Sequence, residues 1–206
     1  MLVSMATSAS FLLAQAADLP EHESVRLLLA AANKDRSWLV GDPLVAELTA
    51  VRFEELVARR RDGEPLQYIE GFAGFGPIEV MVDRRALIPR PETELLWELA
   101  LEVLGDIAAP IIVDLCTGTG NLALALKYHY PDARVIGVDV SQDAVALANE
   151  NATRLGLDVN FRLGDLFSVL PEDLRDGVDL IVSNPPYVAE DEYRALPTEI
   201  VDHEPR

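Results

Sequence analysis

The sequence predicts an α/β protein with a doubly wound parallel sheet, a small helical N-terminal domain and a linking β-hairpin. Three observations predict this fold. Apolar residues recur at helical spacing early in the chain, the period changes to two residues near Ile78, and hydrophobic strands alternate with helices after Pro110. We therefore expect a helical domain over residues 1–70, a hairpin linker over 71–91 and a sheet domain over 92–206.

The first domain is predicted to hold three or four short helices. Its apolar residues recur every three or four positions, which is typical of helices with one buried face. These residues are Phe11, Leu12, Gln15 and Ala16, then Val25, Leu28, Leu29 and Ala32, then Leu44, Leu48, Val51 and Leu56. Breaks that contain Pro or Gly separate the helices at residues 18–20, 41–43 and 62–63.

A strand and a helix are predicted next. Ile78, Val80 and Val82 alternate with other residues, which indicates a strand that forms half of a hairpin. The following helix can begin only at Pro91, because proline is tolerated in a first turn, and Gly105 ends it. The helix runs through the apolar residues Leu95, Leu96, Leu99 and Val103.

Four buried strands with crossover helices are predicted after Pro110. The strands are residues 111–115, 135–138, 159–163 and 178–182, and the helices are residues 122–129 and 141–155. Strands joined by crossover helices form a parallel sheet. The nearly continuous apolar run of the fourth strand favours a central position with a neighbour on each side.

The composition excludes several classes of protein. Half of the 206 residues are hydrophobic, so the chain can bury a core, and no apolar run reaches the roughly 18 residues of a membrane helix. A net charge of −18, from 17 basic and 35 acidic residues, disfavours nucleic acid and favours a protein partner. The single cysteine excludes an internal disulfide, so we expect a cytoplasmic protein without membrane contact. No histidine or cysteine spacing predicts a metal site.

Acidic residues stand at the ends of three predicted strands, where open α/β sheets bind their ligands. These residues are Asp114, Asp139 and Asp165. The carboxylate of Asp139 can accept hydrogen bonds from two ribose hydroxyls, and Asp165 can accept one near an adenine. Three acids at consecutive strand ends together predict a nucleoside site.

The loop after the first strand has a rival interpretation. Gly118 and Gly120, followed by the acidic Asp139, fit the dinucleotide-binding pattern. However, Asp114 at the mouth of this loop would repel a pyrophosphate and attract a cation. S-adenosylmethionine has a sulfonium and an ammonium group and no phosphate, so we predict it as the cofactor.

The residues that follow the fourth strand predict the reaction. These candidate catalytic residues are Asn184, Pro185, Pro186 and Tyr187. An amide or exocyclic amine nitrogen is a poor nucleophile because its lone pair is delocalised. The Asn184 side-chain oxygen and the Pro185 carbonyl can accept both of its N–H groups and free the lone pair, on a backbone that the prolines fix. Tyr187 can pack on the flat target group, so the run predicts methyl transfer to a planar nitrogen.

Several motifs together resemble those of a known family. They are Pro65-Leu66-Gln67-Tyr68-Ile69-x-Gly71, Ile88-Pro89-Arg90-Pro91-Glu92-Thr93-Glu94, the loop from Thr117 to Gly120, the run from Asn184 to Tyr187, and Glu204-Pro205-Arg206. From about Leu12 to its last residue the chain resembles the bacterial release-factor glutamine methyltransferases. These enzymes methylate the side-chain nitrogen of a glutamine in peptide chain release factors.

The resemblance implies a class I S-adenosylmethionine-dependent methyltransferase fold, which is Rossmann-like, with an N-terminal domain that docks the release factor. By position it places Asn184 to Tyr187 against the substrate glutamine. With the residues argued above, the expected cofactor set is Asp114, Cys116, Thr117, Gly118, Thr119, Gly120, Asp139, Asp165, Leu166 and Asn184. The family continues beyond Glu204-Pro205-Arg206 with three more strands, so we expect a truncated domain whose fourth strand is an exposed edge.

Two residues depart from the commonest pattern of the family. Cys116 stands where many members have glycine, which is tolerated if this position needs no positive φ. Leu166 stands where some members have tryptophan beside the adenine, so we expect an aromatic wall to be missing.

Three other functions share parts of this pattern. A ribosomal-protein glutamine methyltransferase has the same Asn-Pro-Pro-Tyr run, but residues 91–94 favour the release-factor branch. An adenine-N6 methyltransferase of nucleic acid would use the same acceptors, but the charge of −18 disfavours it. The third is an inactive truncated binding module.

Overall fold

The structure, a computed structural model, describes residues 7–174, 176–186, 188 and 198–205. The chain divides into two compact units, Met1–Glu70 and Gly71–Arg206. None of the helices in these described ranges is long and apolar enough to cross a membrane. Tyr187, one of the predicted catalytic residues, lies outside the described residues.

The first unit is helical, as the sequence predicts. Its helices are α1 (Ala9–Gln15), α2 (Glu21–Ala32), α3 (Glu47–Arg61) and α4 (Leu66–Glu70), with a 3₁₀ turn at Arg36–Leu39. Two short strands that were not predicted, β1 (Thr7–Ser8) and β2 (Leu44–Val45), pair antiparallel. The Ser8 hydroxyl accepts the Phe11 N–H and caps α1.

The buried face of α3 differs from the predicted one. Phe53, Leu56 and Val57 enter the core of the first unit, where they join residues such as Leu12, Leu27, Leu28 and Val45. Leu48 is 81% exposed and Val51 is 48% exposed. Both sets of residues satisfy helical spacing, so the spacing alone could not select the face that packs.

The second unit begins with the predicted hairpin and helix. The hairpin consists of β3 (Phe72–Phe75) and β4 (Ile78–Met81), which pair antiparallel. Helix α5 (Pro91–Leu104) starts at Pro91, and Gly105 follows it with a φ of +51°. Both boundaries confirm the prediction.

A parallel sheet forms the centre of the second unit. Its strands are β5 (Ile111–Leu115), β6 (Arg134–Asp139), β7 (Asn160–Leu163) and β8 (Leu180–Ser183), in the order β7-β6-β5-β8. Its helices include α6 (Asn121–His129), α7 (Gln142–Leu155) and the short α8 (Thr198–His203). The registers confirm that all neighbouring strands run parallel, as the alternating pattern predicts.

Two features of this sheet differ from expectation. Strand β8 pairs only with β5 among the described residues, so it is an edge strand, and Ile181 on it is 49% exposed. Within the described residues the strand lacks the second neighbour of a central position, and it stands at the exposed edge that we expect for this chain. On α5, Leu95, Leu99 and Val103 are exposed, and Thr93, Ala100 and Leu104 are buried instead.

Candidate active site

A cavity of about 440 Å³ lies at the carboxyl ends of the four parallel strands. Its volume is in the range of ligand pockets in proteins. Several predicted site residues line it, namely Asp114, Cys116, Thr117, Gly118, Thr119, Asp139, Asp165, Leu166, Asn184 and Pro186. Of the described candidates, Gly120 and Pro185 are absent from the lining.

The loop between β5 and α6 is held by its own backbone. The Thr117 N–H donates to the Val138 carbonyl of β6 at 3.0 Å, and the Gly120 N–H donates to the Thr117 carbonyl at 2.8 Å. Gly120 has a φ of +79° and is the residue from which α6 begins. The loop therefore turns tightly from the strand into the helix. Gly120 allows this turn through its positive φ and does not line the cavity.

Two non-glycine residues of the site have left-handed backbone conformations. Cys116 has a φ of +60° and Leu166 has a φ of +46°. The condition under which cysteine would be tolerated at position 116 is therefore not met, because this position does need a positive φ. A side chain in this region costs roughly 1–2 kcal/mol, so each of these two positions carries local backbone strain.

Asp114 is a buried carboxyl group beneath the loop. It is 2% exposed, and its Oδ2 accepts the Thr117 hydroxyl at 2.6 Å. Burial raises the pKa of Asp114 to about 7, against the hydrogen bonds from Thr117 and the Ala123 N–H, which lower it. At neutral pH this carboxyl group is therefore ready to ionise when a cation approaches.

Asp139 organises the neighbouring strand end. Its Oδ2 accepts the Gly118 N–H at 2.9 Å, and its Oδ1 accepts the Ser141 N–H at 2.9 Å. Each carboxylate oxygen can accept a second hydrogen bond, so the group retains capacity for two ligand hydroxyls. The backbone donors hold the carboxylate in place before any ligand arrives.

The charge of the cavity is acidic. Asp114, Asp139 and Asp165 all line it. The two arginines in its lining are already paired, Arg85 with Asp83 and Glu150 at 2.7 Å and Arg90 with Glu204 at 2.7 Å. The cavity therefore suits a cationic ligand that carries hydroxyl groups, and it opposes a pyrophosphate.

The end of β8 brings an amide to the same cavity. Asn184, Pro185 and Pro186 are exposed. The Asn184 Nδ2 donates to the Thr93 Oγ1 at 2.9 Å, and Thr93 is a buried residue in the first turn of α5 that also lines the cavity. Thr93 was not among the predicted site residues, although it belongs to the motif Ile88-Pro89-Arg90-Pro91-Glu92-Thr93-Glu94.

Residues 85–90, which were not among the predicted site residues, form a further wall of the cavity. The buried Glu204 anchors this wall, because its Oε1 accepts from the Arg90 guanidinium and its Oε2 accepts the Ile88 N–H at 3.3 Å. Pro205 lines the cavity beside them. The sequence contains both motifs, Ile88-Pro89-Arg90 and Glu204-Pro205-Arg206, and their joint presence could have indicated this wall.

Asn151 on α7 joins the hairpin to the loop after β5. It is completely buried and exchanges two hydrogen bonds with the Met81 backbone, at 2.6 and 3.0 Å. Its Nδ2 also donates to the Thr119 carbonyl at 3.0 Å. No pattern in the sequence distinguished this asparagine from others on helix surfaces.

Family models match both units of the chain. Residues 5–71 match the PrmC N-terminal domain, and residues 109–202 match a methyltransferase domain. The second match confirms the predicted methyltransferase fold of the sheet domain.

Curated relatives extend over most of the chain. The release factor glutamine methyltransferase of Koribacter versatilis is 40% identical over 196 residues, which cover 93% of this chain and 69% of the relative. The release factor glutamine methyltransferase of Mycolicibacterium smegmatis is 45% identical over 186 residues, which cover 86% of this chain and 63% of the relative. The chain therefore spans about two thirds of the length of these relatives.

A solved structure is also similar. The T. thermophilus 16S rRNA N2 G1207 methyltransferase, in complex with AdoMet and guanosine, has a TM-score of 0.47 and 27% identity. The match covers 56% of this chain and 32% of that chain.

Proposed function

Because the chain belongs to the release factor glutamine methyltransferase family, we propose that it methylates a glutamine side chain in a peptide chain release factor, with S-adenosylmethionine as the methyl donor. One observation carries this proposal. A single cavity joins three carboxylates at the ends of β5, β6 and β7 to the amide of Asn184 at the end of β8. A cation site and an amide-binding site are thus adjacent.

The cofactor site of the proposal uses the acidic side of the cavity. Asp114 attracts the positive charge of the cofactor, Asp139 accepts its ribose hydroxyls, and Asp165 accepts a hydrogen bond near its adenine. The backbone hydrogen bonds from Gly118 and Ser141 hold Asp139 in place for this task. When bound, S-adenosylmethionine supplies an electrophilic methyl group on a cationic sulfur.

The substrate site of the proposal uses the end of β8. The Asn184 Oδ1 and the Pro185 carbonyl each accept one N–H of the glutamine amide. These two hydrogen bonds turn the nitrogen lone pair out of conjugation and toward the cavity. The residues act mainly as the nitrogen becomes nucleophilic, so they lower the barrier more than they strengthen binding.

The partner in the proposal is a protein. The residues from Asn184 to Pro186 are exposed, so a side chain from another protein can reach them. We assign the docking of that protein to the first unit, and we place the reaction in the cytoplasm, where translation takes place. The net charge of −18 opposes direct contact with nucleic acid.

The proposal is tested by Asn184→Ala in the full chain. We expect the methylation rate of a release factor to fall by about 100-fold, since a group that acts mainly in the transition state is lost. Binding of S-adenosylmethionine, measured by calorimetry, should change by less than about threefold. Asn184→Asp should also slow transfer, because it places a negative charge near the cationic donor and stabilises the ground state.

Asn160→Ala is the matched control, because Asn160 is an exposed asparagine on β7 that does not line the cavity. This variant should retain the wild-type rate. A ribosomal protein and an adenine-containing oligonucleotide serve as competing substrates in the same assay. Faster methylation of either competitor, or an unchanged rate in both Asn184 variants, would overturn the proposal.

A further inference from the structure

Asn184 is an exposed side chain whose orientation matters to the proposed chemistry. The terminal torsion angle of an asparagine has a broad distribution, so an exposed carboxamide rotates easily between orientations. Only the oxygen can accept an N–H from a substrate amide, since the Nδ2 group is a donor. An inverted carboxamide would present two donors to the substrate and repel its N–H groups.

Thr93 restricts this freedom. Its Oγ1 accepts a hydrogen bond from the Asn184 Nδ2 at 2.9 Å, and both residues line the cavity. Thr93 is only 6% exposed, so its hydroxyl is held by the packing of α5 rather than by solvent. A carboxamide whose NH₂ group is occupied leaves its oxygen free to accept a second partner.

The position of Thr93 is itself fixed by the wall of the cavity. The Thr93 N–H donates to the Arg90 carbonyl at 3.0 Å in the first turn of α5. The Arg90 guanidinium pairs at 2.7 Å with Glu204, whose side chain is 1% exposed. An ion pair between the half-buried Arg90 and the buried Glu204 thus anchors the start of the helix that carries the hydroxyl.

We propose that Thr93 is a positioning residue that orients the Asn184 carboxamide, with its oxygen toward the substrate amide. This inference rests on the proposed function for the identity of the substrate. The Thr93 hydroxyl can donate as well as accept, and it accepts from the carboxamide NH₂ group when the carboxamide oxygen takes the substrate N–H groups. Such preorganisation raises the rate because the acceptor does not have to rotate into place as the reaction proceeds.

The experiment compares Thr93→Val with Thr93→Ser in the full chain. Valine keeps the volume and loses the acceptor, whereas serine keeps the hydroxyl. We expect kcat for release-factor methylation to fall about tenfold in Thr93→Val, with KM and cofactor affinity within about twofold of wild type. Thr93→Ser should retain kcat within about threefold. Thr153→Val, on the exposed surface of α7 outside the cavity, is the matched control and should match wild type.

A second readout separates this inference from the proposed function. The side-chain NH₂ resonances of Asn184, observed by NMR in ¹⁵N-labelled protein, should shift in Thr93→Val and remain near their wild-type positions in Thr93→Ser. If wild type methylates no release factor, the proposed function fails, and these resonances still decide whether the Asn184 NH₂ group donates to Thr93. Unchanged resonances in Thr93→Val, or an equal loss of kcat in the valine and serine variants, would overturn the role of Thr93.

Discussion

The ends of β5 and β8 contribute to the same cavity but are built in opposite ways. At the end of β5, Asp114, Thr117 and Thr119 are all buried, and the loop binds the neighbouring strand through its backbone. At the end of β8, the residues from Asn184 to Pro186 are exposed, and a side-chain hydrogen bond to Thr93 orients the amide.

Because of this difference, substitutions at the two strand ends should affect stability and activity differently. A substitution at the end of β5 disturbs buried polar groups, so it changes the free energy of unfolding together with ligand binding. A substitution at Asn184 removes an exposed group and one hydrogen bond to Thr93, so it should lower the unfolding free energy by only about 1 kcal/mol. The cofactor side of the cavity is thus part of the core of the fold, and the substrate side is attached to its surface.

The largest expected effect on stability concerns Asp114 and depends on pH. The pKa of Asp114 is about 7 in the folded protein, against an ordinary value of 3.8. Between about pH 4 and pH 7 the folded state therefore holds a proton that the unfolded chain has lost, so this group makes stability fall as the pH rises. Asp114→Asn should become more stable relative to wild type across this window, by a total on the order of 4 kcal/mol.

Chemical denaturation at a series of pH values measures this difference. The loss of one hydrogen-bond acceptor in Asp114→Asn shifts the stability difference between variant and wild type by the same amount at every pH. It therefore does not change how this difference varies with pH. Asn184→Ala, the comparison from the other strand end, should differ from wild type by the same amount at every pH. A flat difference for Asp114→Asn would show that this carboxyl group binds its proton equally in the folded and unfolded states.

The second prediction tests how tightly the end of β5 is packed. A Cβ added to Gly137 of β6 would lie 2.4 Å from the Phe161 Cδ1 and 2.9 Å from the Thr117 Oγ1. We expect Gly137→Ala to lower the free energy of unfolding by about 1–3 kcal/mol, because the buried ring of Phe161 must move. Thermal and denaturant unfolding measure this loss.

Gly74→Ala is the matched control, since Gly74 is also in a strand and an added Cβ would have no neighbour within 4 Å. Its effect should stay within about 0.5 kcal/mol. Combining Gly137→Ala with Phe161→Leu should cost less than the sum of the single changes, because leucine vacates part of the space. Full additivity would mean that the two side chains do not compete.

The sequence predicted most element boundaries because local chemistry determines them. Pro91 and Gly105 enclose α5, and the Ser141 hydroxyl caps α7 by accepting the Ala144 N–H at 3.2 Å. Gly156 ends α7 in the left-handed conformation. The strand ends could also be predicted as the site, since parallel strands gather their carboxyl ends at one edge.

Other features depend on contacts between distant parts of the chain. Asn184 meets Thr93, and Glu204 meets Arg90, although many residues separate the members of each pair. Periodicity identifies a helix but does not select the face that packs, so the exposure of Leu99 on α5 was unexpected. The positive φ of Cys116 was equally hidden, because the residue type there argues for the opposite conformation.

The smallest expected effect concerns the strain at Cys116. Its φ of +60° is unfavourable for any residue with a Cβ, whereas glycine adopts it freely. Cys116→Gly removes the thiol and the strain, and Cys116→Ala removes only the thiol. We therefore expect the glycine variant to be more stable than the alanine variant by about 1 kcal/mol, measured by denaturant unfolding. At Asn160, in a regular strand, the order should be reversed, with glycine less stable than alanine by about 0.5–1 kcal/mol. If the alanine variant were at least as stable as the glycine variant at position 116, the loop after β5 would have to relax into another conformation. The backbone hydrogen bond from this loop to β6 would then no longer distinguish the end of β5 from the end of β8.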